Sequence, residues 1–158
     1  MALSQPWSDV RVEKKRVAVS ITMVGGELLS GSVFAPQIYP PGVQEDPLQL
    51  LNEADPFFPL GLSTGEVLLI AKRRVVEMVP DEPSPDEELP GSAPTALLQV
   101  TLAGGIAHVG SMRLEVRASR PRVLDFMNYC TDRFIALRTD EGVRLINREM
   151  IERVRPLD

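Results

Sequence analysis

Short stretches of alternating apolar and polar residues run through most of the chain. From Val17 to Met23, apolar residues with larger side chains alternate with Ala, Ser and Thr, the period of two expected of a strand with one buried face. Gly25 and Gly26 follow, a pair suited to the positive φ angles of a tight hairpin turn. The pattern predicts a strand, a turn, and a second strand over residues 27–35.

The same figure occurs twice. ITMVGGELLSGSV spans residues 21–33, and VTLAGGIAHVGSM spans residues 100–112, an offset of 79. Further along, an offset of 76 aligns Asn52 with Asn128 and Phe58 with Phe134. Matches near both ends of the two segments predict a duplicated fold of about 65 residues.

Each copy contains an interior glycine and one short helix. Gly31 and Gly110 lie within predicted strands, where glycine typically marks a bend or a close backbone approach. Asp46 and Pro47 form a helix start signal in the first copy, because Asp caps helices and Pro is tolerated in the first turn. In the second copy, an apolar helix face is predicted from Val123, Phe126, Met127 and Cys130.

Three short strands are expected to close each copy. Alternation and turn residues place them at about 57–62, 66–72 and 74–79, and at 133–138, 142–147 and 150–155. Residues 63–65 and 140–142 supply the hairpin turns.

The second copy resembles the first signature of Sm and Lsm proteins. The residues that carry the resemblance are Leu102, Gly105, Gly110, Asp125 and Asn128. The second copy is also similar to poorly characterised bacterial proteins that combine a glycine-bent hairpin, an R-x-x-D-x-x-N helix and an F-I-x-L strand; here these are Arg122, Asp125, Asn128 and the strand from Phe134 to Leu137. The resemblance implies a small barrel and carries no activity of its own.

The resulting expectation is a mainly β protein of two tandem five-stranded Sm-like or SH3-like barrels. Each barrel has one short helix inserted after its second strand. The first barrel covers residues 1–79, and the second covers residues 95–158. Residues 80–94 contain five prolines and five acids, a composition that prevents a regular element and predicts an acidic linker.

Composition limits the cellular locations and the kinds of metal or disulfide site that we expect. Cys130 is the only cysteine, so the chain has no internal disulfide and no multi-thiolate metal site. The beginning lacks the apolar run of a signal peptide, and no stretch has the roughly 18 apolar residues of a membrane span. We therefore expect a cytoplasmic protein with no membrane association.

Charge gives limited support for nucleic-acid binding. The net charge is −5, and residues 95–158 hold ten arginines against eight acids. A surplus of two is far from the dense basic stripe of typical nucleic-acid binders. Interleaved acids favour a solvated, salt-bridged surface instead.

The candidate ligand-binding residues lie at the start and along one face of the second helix. Arg122, Asp125 and Asn128 are spaced by three, and Arg120 precedes them. Such residues can meet a ligand together or simply pair along the helix. His108, the only histidine, is expected to be a half-buried strand residue. We find no motif for catalysis, a metal or a cofactor.

These observations favour a non-catalytic interaction or regulatory module. Its partner would be a protein, either another chain or a second copy in a homo-oligomer, bound through sheet edges or helix faces. The alternative is an Sm-like RNA-binding protein that uses the arginine-rich face with Arg120, Arg122, Asp125 and Asn128. An unrecognised enzyme ranks third.

Overall fold

The computed structural model describes residues 14–38, 43–44, 46–81, 95–114 and 123–157. We call residues 14–81 the first half and residues 95–157 the second half. Most of the predicted linker and the residues Arg120 and Arg122 lie outside the described residues.

Within its described residues, the first half contains six strands and one helix. In chain order these are β1 (Lys14–Met23), β2 (Leu28–Ile38), β3 (Val43–Gln44), α1 (Pro47–Asn52), β4 (Phe57–Gly61), β5 (Val67–Ala71) and β6 (Val75–Pro80). A single 3-10 turn, Lys72–Arg74, joins β5 to β6.

The described ranges 95–114 and 123–157 of the second half contain five strands and one helix. They are β7 (Thr95–Leu102), β8 (Ala107–Arg113), α2 (Val123–Tyr129), β9 (Phe134–Thr139), β10 (Gly142–Asn147) and β11 (Ile151–Pro156). The 3-10 turn Arg148–Met150 joins β10 to β11. The three closing strands of each half lie within one residue of their predicted bounds.

Local chemistry explains the turns and the first helix. Gly25 and Gly26 have φ angles of 98° and 93°, and Gly104 and Gly105 have 94° and 88°, as the tight hairpins require. The Asp46 side chain accepts a hydrogen bond of 2.9 Å from the backbone N–H of Gln49, which confirms the predicted helix cap.

The interior glycines allow two strands to approach each other. A Cβ on Gly31 would lie 2.5 Å from the carbonyl oxygen of Gly61, and one on Gly110 would clash with the carbonyl of Arg138. The prediction of a close backbone approach is therefore confirmed at both positions. These contacts bring β2 against β4 and β8 against β9.

Ten strands form one open antiparallel sheet, in the order β11-β7-β8-β9-β10-β6-β1-β2-β4-β5, and β3 pairs with β2. The mainly β expectation is confirmed, but the expectation of two closed barrels is wrong. β6 pairs with β1 on one side and with β10 on the other. The second edge of β6 is therefore paired with the second half. It is not free to pair with another strand of the first half and close a barrel.

The apolar residues form two clusters, one on each side of this shared pairing. The first cluster is built from the first half, together with Phe134, Val143 and Leu145 of the second half. The second cluster is built from the second half, together with Val76 of β6. Each core thus contains residues contributed by the other half. Neither helix in the described ranges is long and apolar enough to cross a membrane.

Candidate interaction surfaces

The contact between the halves, which we call the inner junction, begins with strand pairing. β6 and β10 are antiparallel, with Leu145 opposite Met78 and Ile146 opposite Glu77. Leu145 and Met78 both lie in the first apolar cluster. Backbone hydrogen bonds and burial therefore act together at this pair of strands.

A side-chain amide extends the inner junction beyond the strands. Asn52, the last residue of α1, donates from Nδ2 to the carbonyl oxygen of Phe134 at 3.0 Å. Its Oδ1 accepts from the backbone N–H of Phe134 at 2.7 Å. The amide satisfies both polar groups of one residue, as a neighbouring strand would. The helix of the first half is thereby fixed to β9 of the second.

A buried acid is held across the inner junction by two basic residues. Glu77 of β6 accepts a hydrogen bond of 2.8 Å from Nη1 of Arg144. Its Oε2 lies 2.9 Å from Nε2 of His108 on β8, although neither of these two buried atoms has a hydrogen-bond partner within the described ranges. The Glu77 side chain is only 8% exposed, so the contact with Arg144 compensates much of the cost of burying its charge. His108 is half-buried, as the sequence predicts.

A buried asparagine completes the polar contacts. Asn147, at the end of β10, donates from Nδ2 to the carbonyl oxygen of Val75 at 2.9 Å. Its Oδ1 accepts from the backbone N–H of Glu149 at 3.1 Å. The side chain therefore links the last turn of the second half to the first residue of β6.

One terminal strand of the sheet carries an exposed apolar patch. Phe57 at the start of β4 is 52% exposed, and Val67 and Leu69 on β5 are 58% and 71% exposed. We call these three residues the β5 patch. Val67 and Leu69 are two apart on one strand, so they point to the same side of the sheet.

The other end of the sheet is formed by β11, with α2 in the same half. Val154 of β11 is half-buried against the second cluster. On α2, Leu124 and Tyr129 are 65% and 77% exposed. Of the residues singled out from sequence, Asp125 is half-buried on this helix and Asn128 is exposed. The structure places these two on one short helix and brings no other described candidate to them.

Three of the seven arginines that the structure describes in the second half contact acids or backbone carbonyls through their side chains. Arg144 contacts Glu77 and Glu141, and Arg153 contacts Glu152 at 2.7 Å. Arg148 donates from Nε to the carbonyl of Asp132 and from Nη1 to the carbonyl of Met127. These contacts agree with the salt-bridged interpretation for the residues concerned.

A buried lysine plays the part of Arg148 in the first half. Nζ of Lys72 donates to the carbonyl oxygen of Glu53 at 3.0 Å. Burial lowers the pKa of Lys72 from its ordinary value, while Glu53 and Asp55 oppose this effect. In both halves, a cation at the start of the 3-10 turn therefore holds the segment that follows the helix.

The half-buried position of His108 agrees with the expectation from sequence, and the ligand-binding role of Asn128 stays a prediction. The sequence analysis assigns no contact to Glu77 or Asn52 and does not predict the β5 patch. A repeated asparagine at the end of each helix is the only sequence signal that points to Asn52. No group of three or more His, Cys, Asp or Glu side chains is arranged to hold a metal ion in the part of the chain that the structure describes. No family model, curated protein or solved structure matches the chain.

Proposed function

We propose that the protein is a non-catalytic interaction module that binds protein chains at the two ends of its sheet. The observation that carries the proposal is the β5 patch, where Phe57, Val67 and Leu69 are more than half exposed on and beside a terminal strand. A terminal strand offers unpaired backbone N–H and C=O groups, and an added strand satisfies them.

The composition of the patch favours a protein partner over RNA. Val67 and Leu69 are aliphatic, Phe57 is the one aromatic residue of the patch, and none of the three is a cation. Such a patch provides apolar area beside a strand edge, whereas RNA recognition combines cations with aromatic platforms. RNA binding through Arg120, Arg122, Asp125 and Asn128 is the competing hypothesis. The experiment below distinguishes the two.

Photo-cross-linking at the β5 patch tests the proposal. A photoreactive amino acid replaces Leu69 in the chain expressed in its native cell, and Leu28 is replaced in a control chain. Leu28 is 75% exposed on β2, and so matches Leu69 in type and exposure without lying on a terminal strand. We expect a nuclease-resistant protein adduct from position 69 and little from position 28.

Two results would overturn the proposal. One is an adduct at position 69 that nuclease digestion removes, which would identify RNA as the partner. The other is equal protein adduct at both positions, because binding would then not depend on the strand edge.

A further inference from the structure

We infer that the partner at the sheet ends is a second copy of this chain, bound head to tail, with β11 of one copy pairing with β5 of the next. The inference rests on the proposed function, because it names the protein that the ends bind. Its basis is that the inner junction already joins the corresponding strands of the two halves.

The two halves have the same order of neighbouring strands. The first half reads β5-β4-β2-β1-β6 across the sheet, and the second reads β10-β9-β8-β7-β11. β5 thus corresponds to β10, and β6 corresponds to β11. The inner junction pairs β6 with β10, so the strands left at the two ends, β11 and β5, are the counterparts of a pair that already forms.

The close approach at the interior glycines fixes which residues correspond. Gly31 faces Leu60 and Gly61, and Gly110 faces Leu137 and Arg138. The offset from β4 to β9 is therefore 77, and Phe134 corresponds to Phe57. The alignment of Phe134 with Phe58 expected from sequence is therefore wrong by one residue. The cause is that the turn of the β9–β10 hairpin is one residue shorter than that of the β4–β5 hairpin.

The same three positions are buried in one half and exposed in the other. Phe134, Val143 and Leu145 are 1%, 8% and 3% exposed in the inner junction. Their counterparts are the β5 patch residues Phe57, Val67 and Leu69, which are 52%, 58% and 71% exposed. The β5 patch therefore has the same residues as a surface that is covered by a neighbouring half, but no described residue covers it.

The opposite end carries the counterpart of the covering element. α1 packs against β9 and binds Phe134 through Asn52. Asn128, the second-last residue of α2, is the counterpart of Asn52, the last residue of α1. Leu124, the counterpart of the half-buried Leu48, is exposed. In a head-to-tail pair, Asn128 would bind the backbone of Phe57 in the next copy.

The inner register predicts the outer one. Leu145 opposite Met78 becomes Leu69 opposite Val154, and Ile146 opposite Glu77 becomes Ile70 opposite Arg153. Each end meets the unlike end of the next copy, so association continues until a ring closes or a filament forms.

Two parts of the inner junction have no counterpart at the ends. One is Asn147, whose place is taken by Ala71, and the other is the buried acid with its two basic partners. Arg153 takes the place of Glu77, while Leu68 and Leu29 take the places of Arg144 and His108. The outer contact therefore lacks the buried acid and its two basic partners. We expect it to be weaker than the inner junction and to dissociate on dilution.

Disulfide trapping tests the register and the polarity. All chains carry Cys130→Ser; one carries Leu69→Cys, a second carries Val154→Cys, and a control carries Arg153→Cys, whose side chain faces the opposite side. Opposed strand residues are close enough for a disulfide. Mixed under mild oxidation, the position-69 and position-154 chains should form mixed dimers, at least about tenfold more than position 69 with position 153.

Solution mass tests the association itself. The purified full chain should show a mass that rises with concentration in sedimentation. Leu69→Lys should raise its dissociation constant at least about thirtyfold, the effect expected of a central interface residue. Leu28→Lys is the matched control and should leave it unchanged.

A transplanted ion pair sharpens the test. Leu68→Arg with Arg153→Glu places the Arg144–Glu77 pair at the outer contact. The double variant should associate about tenfold more tightly than the two single variants predict, as coupled charges in contact do. Additive single effects would contradict the inferred register.

The outcomes separate this inference from the proposed function. A chain that stays monomeric at every concentration, or that gives mainly 69–69 dimers, overturns the head-to-tail inference. Photo-cross-linking at position 69 to a protein of different identity would overturn it too, while leaving the interaction module intact.

Discussion

The β9–β10 hairpin and the β4–β5 hairpin carry nearly the same apolar residues in opposite environments. Phe134, Val143 and Leu145 are buried in the first apolar cluster, where α1 packs against β9 and β6 pairs with β10. Phe57, Val67 and Leu69 have no such cover among the described residues and are exposed. Burial at these three positions therefore depends on the presence of a neighbouring half and not on residue type. Similar side chains, covered in one place and uncovered in another, therefore point to a missing neighbour.

Replacement of the two phenylalanines should give the largest difference in stability between the two hairpins. Phe134→Ala should lower the free energy of unfolding by about 4 kcal/mol, because it leaves a cavity between the halves. Phe57→Ala should change it by less than about 0.5 kcal/mol, since the ring is half exposed. Urea denaturation of dilute, dissociated chain measures both. Equal losses would show that the two hairpins have equivalent environments.

The two helix-end asparagines give the next largest expected difference. Asn52→Ala removes both hydrogen bonds to the backbone of Phe134 and should cost about 2 kcal/mol, because buried N–H and C=O groups lose their partners. Asn128→Ala should leave the stability of the dilute chain unchanged and weaken self-association. Denaturation and sedimentation of the same two variants check this, and a stability loss for Asn128→Ala would contradict the assigned roles.

The two turn cations give the smallest expected effect. Because burial lowers the pKa of Lys72, the unfolded chain binds more protons than the folded chain as the pH approaches the ordinary lysine value of 10.5. The free energy of unfolding should therefore gain a contribution that grows as pH rises through this interval. Arginine as a residue type is a permanent cation in proteins and contributes no such dependence.

Lys72→Met isolates that contribution. The stability difference between wild type and this variant should shift in favour of wild type between neutral and alkaline pH. Arg148→Met should give a difference that does not change over the same interval. A pH-independent difference for Lys72→Met would show that the ammonium group is not desolvated on folding.

Local features of the sequence predict most of the individual elements. Alternation and turn glycines place the three closing strands of each half within one residue, since strand period and positive φ depend on neighbours in the chain. The second strand, expected over 27–35, extends to Ile38. The cap at Asp46 and the close approach at Gly31 and Gly110 are local signals of the same kind. These expectations are confirmed because little outside each segment competes with them.

The assembly of the elements depends on contacts that the pattern does not contain. The edge of β6 can either pair within the first half, which would close a barrel, or pair with β10. The alternation of apolar and polar residues along β6 is the same in both cases. Glu77, Arg144 and His108 come from three separate strands and share no motif. Phe57 and Phe134 are identical in type, and the one-residue difference between the hairpin turns hides their correspondence. The pairing of strands that are far apart in the sequence is therefore known only from the structure.

The buried carboxylate of Glu77 also bears on biosynthesis. While ribosomes translate one message side by side, nascent first halves expose β6 and β5 before any second half exists. If β6 of one nascent chain annealed to β5 of its neighbour, Glu77 would meet Leu68 and Leu29 in place of Arg144 and His108. An acid desolvated without a cation is strongly unfavourable. Pairing of β6 with β10 of the same chain supplies Arg144 to Glu77, so it is favoured over pairing of β6 with the β5 strand of a neighbour.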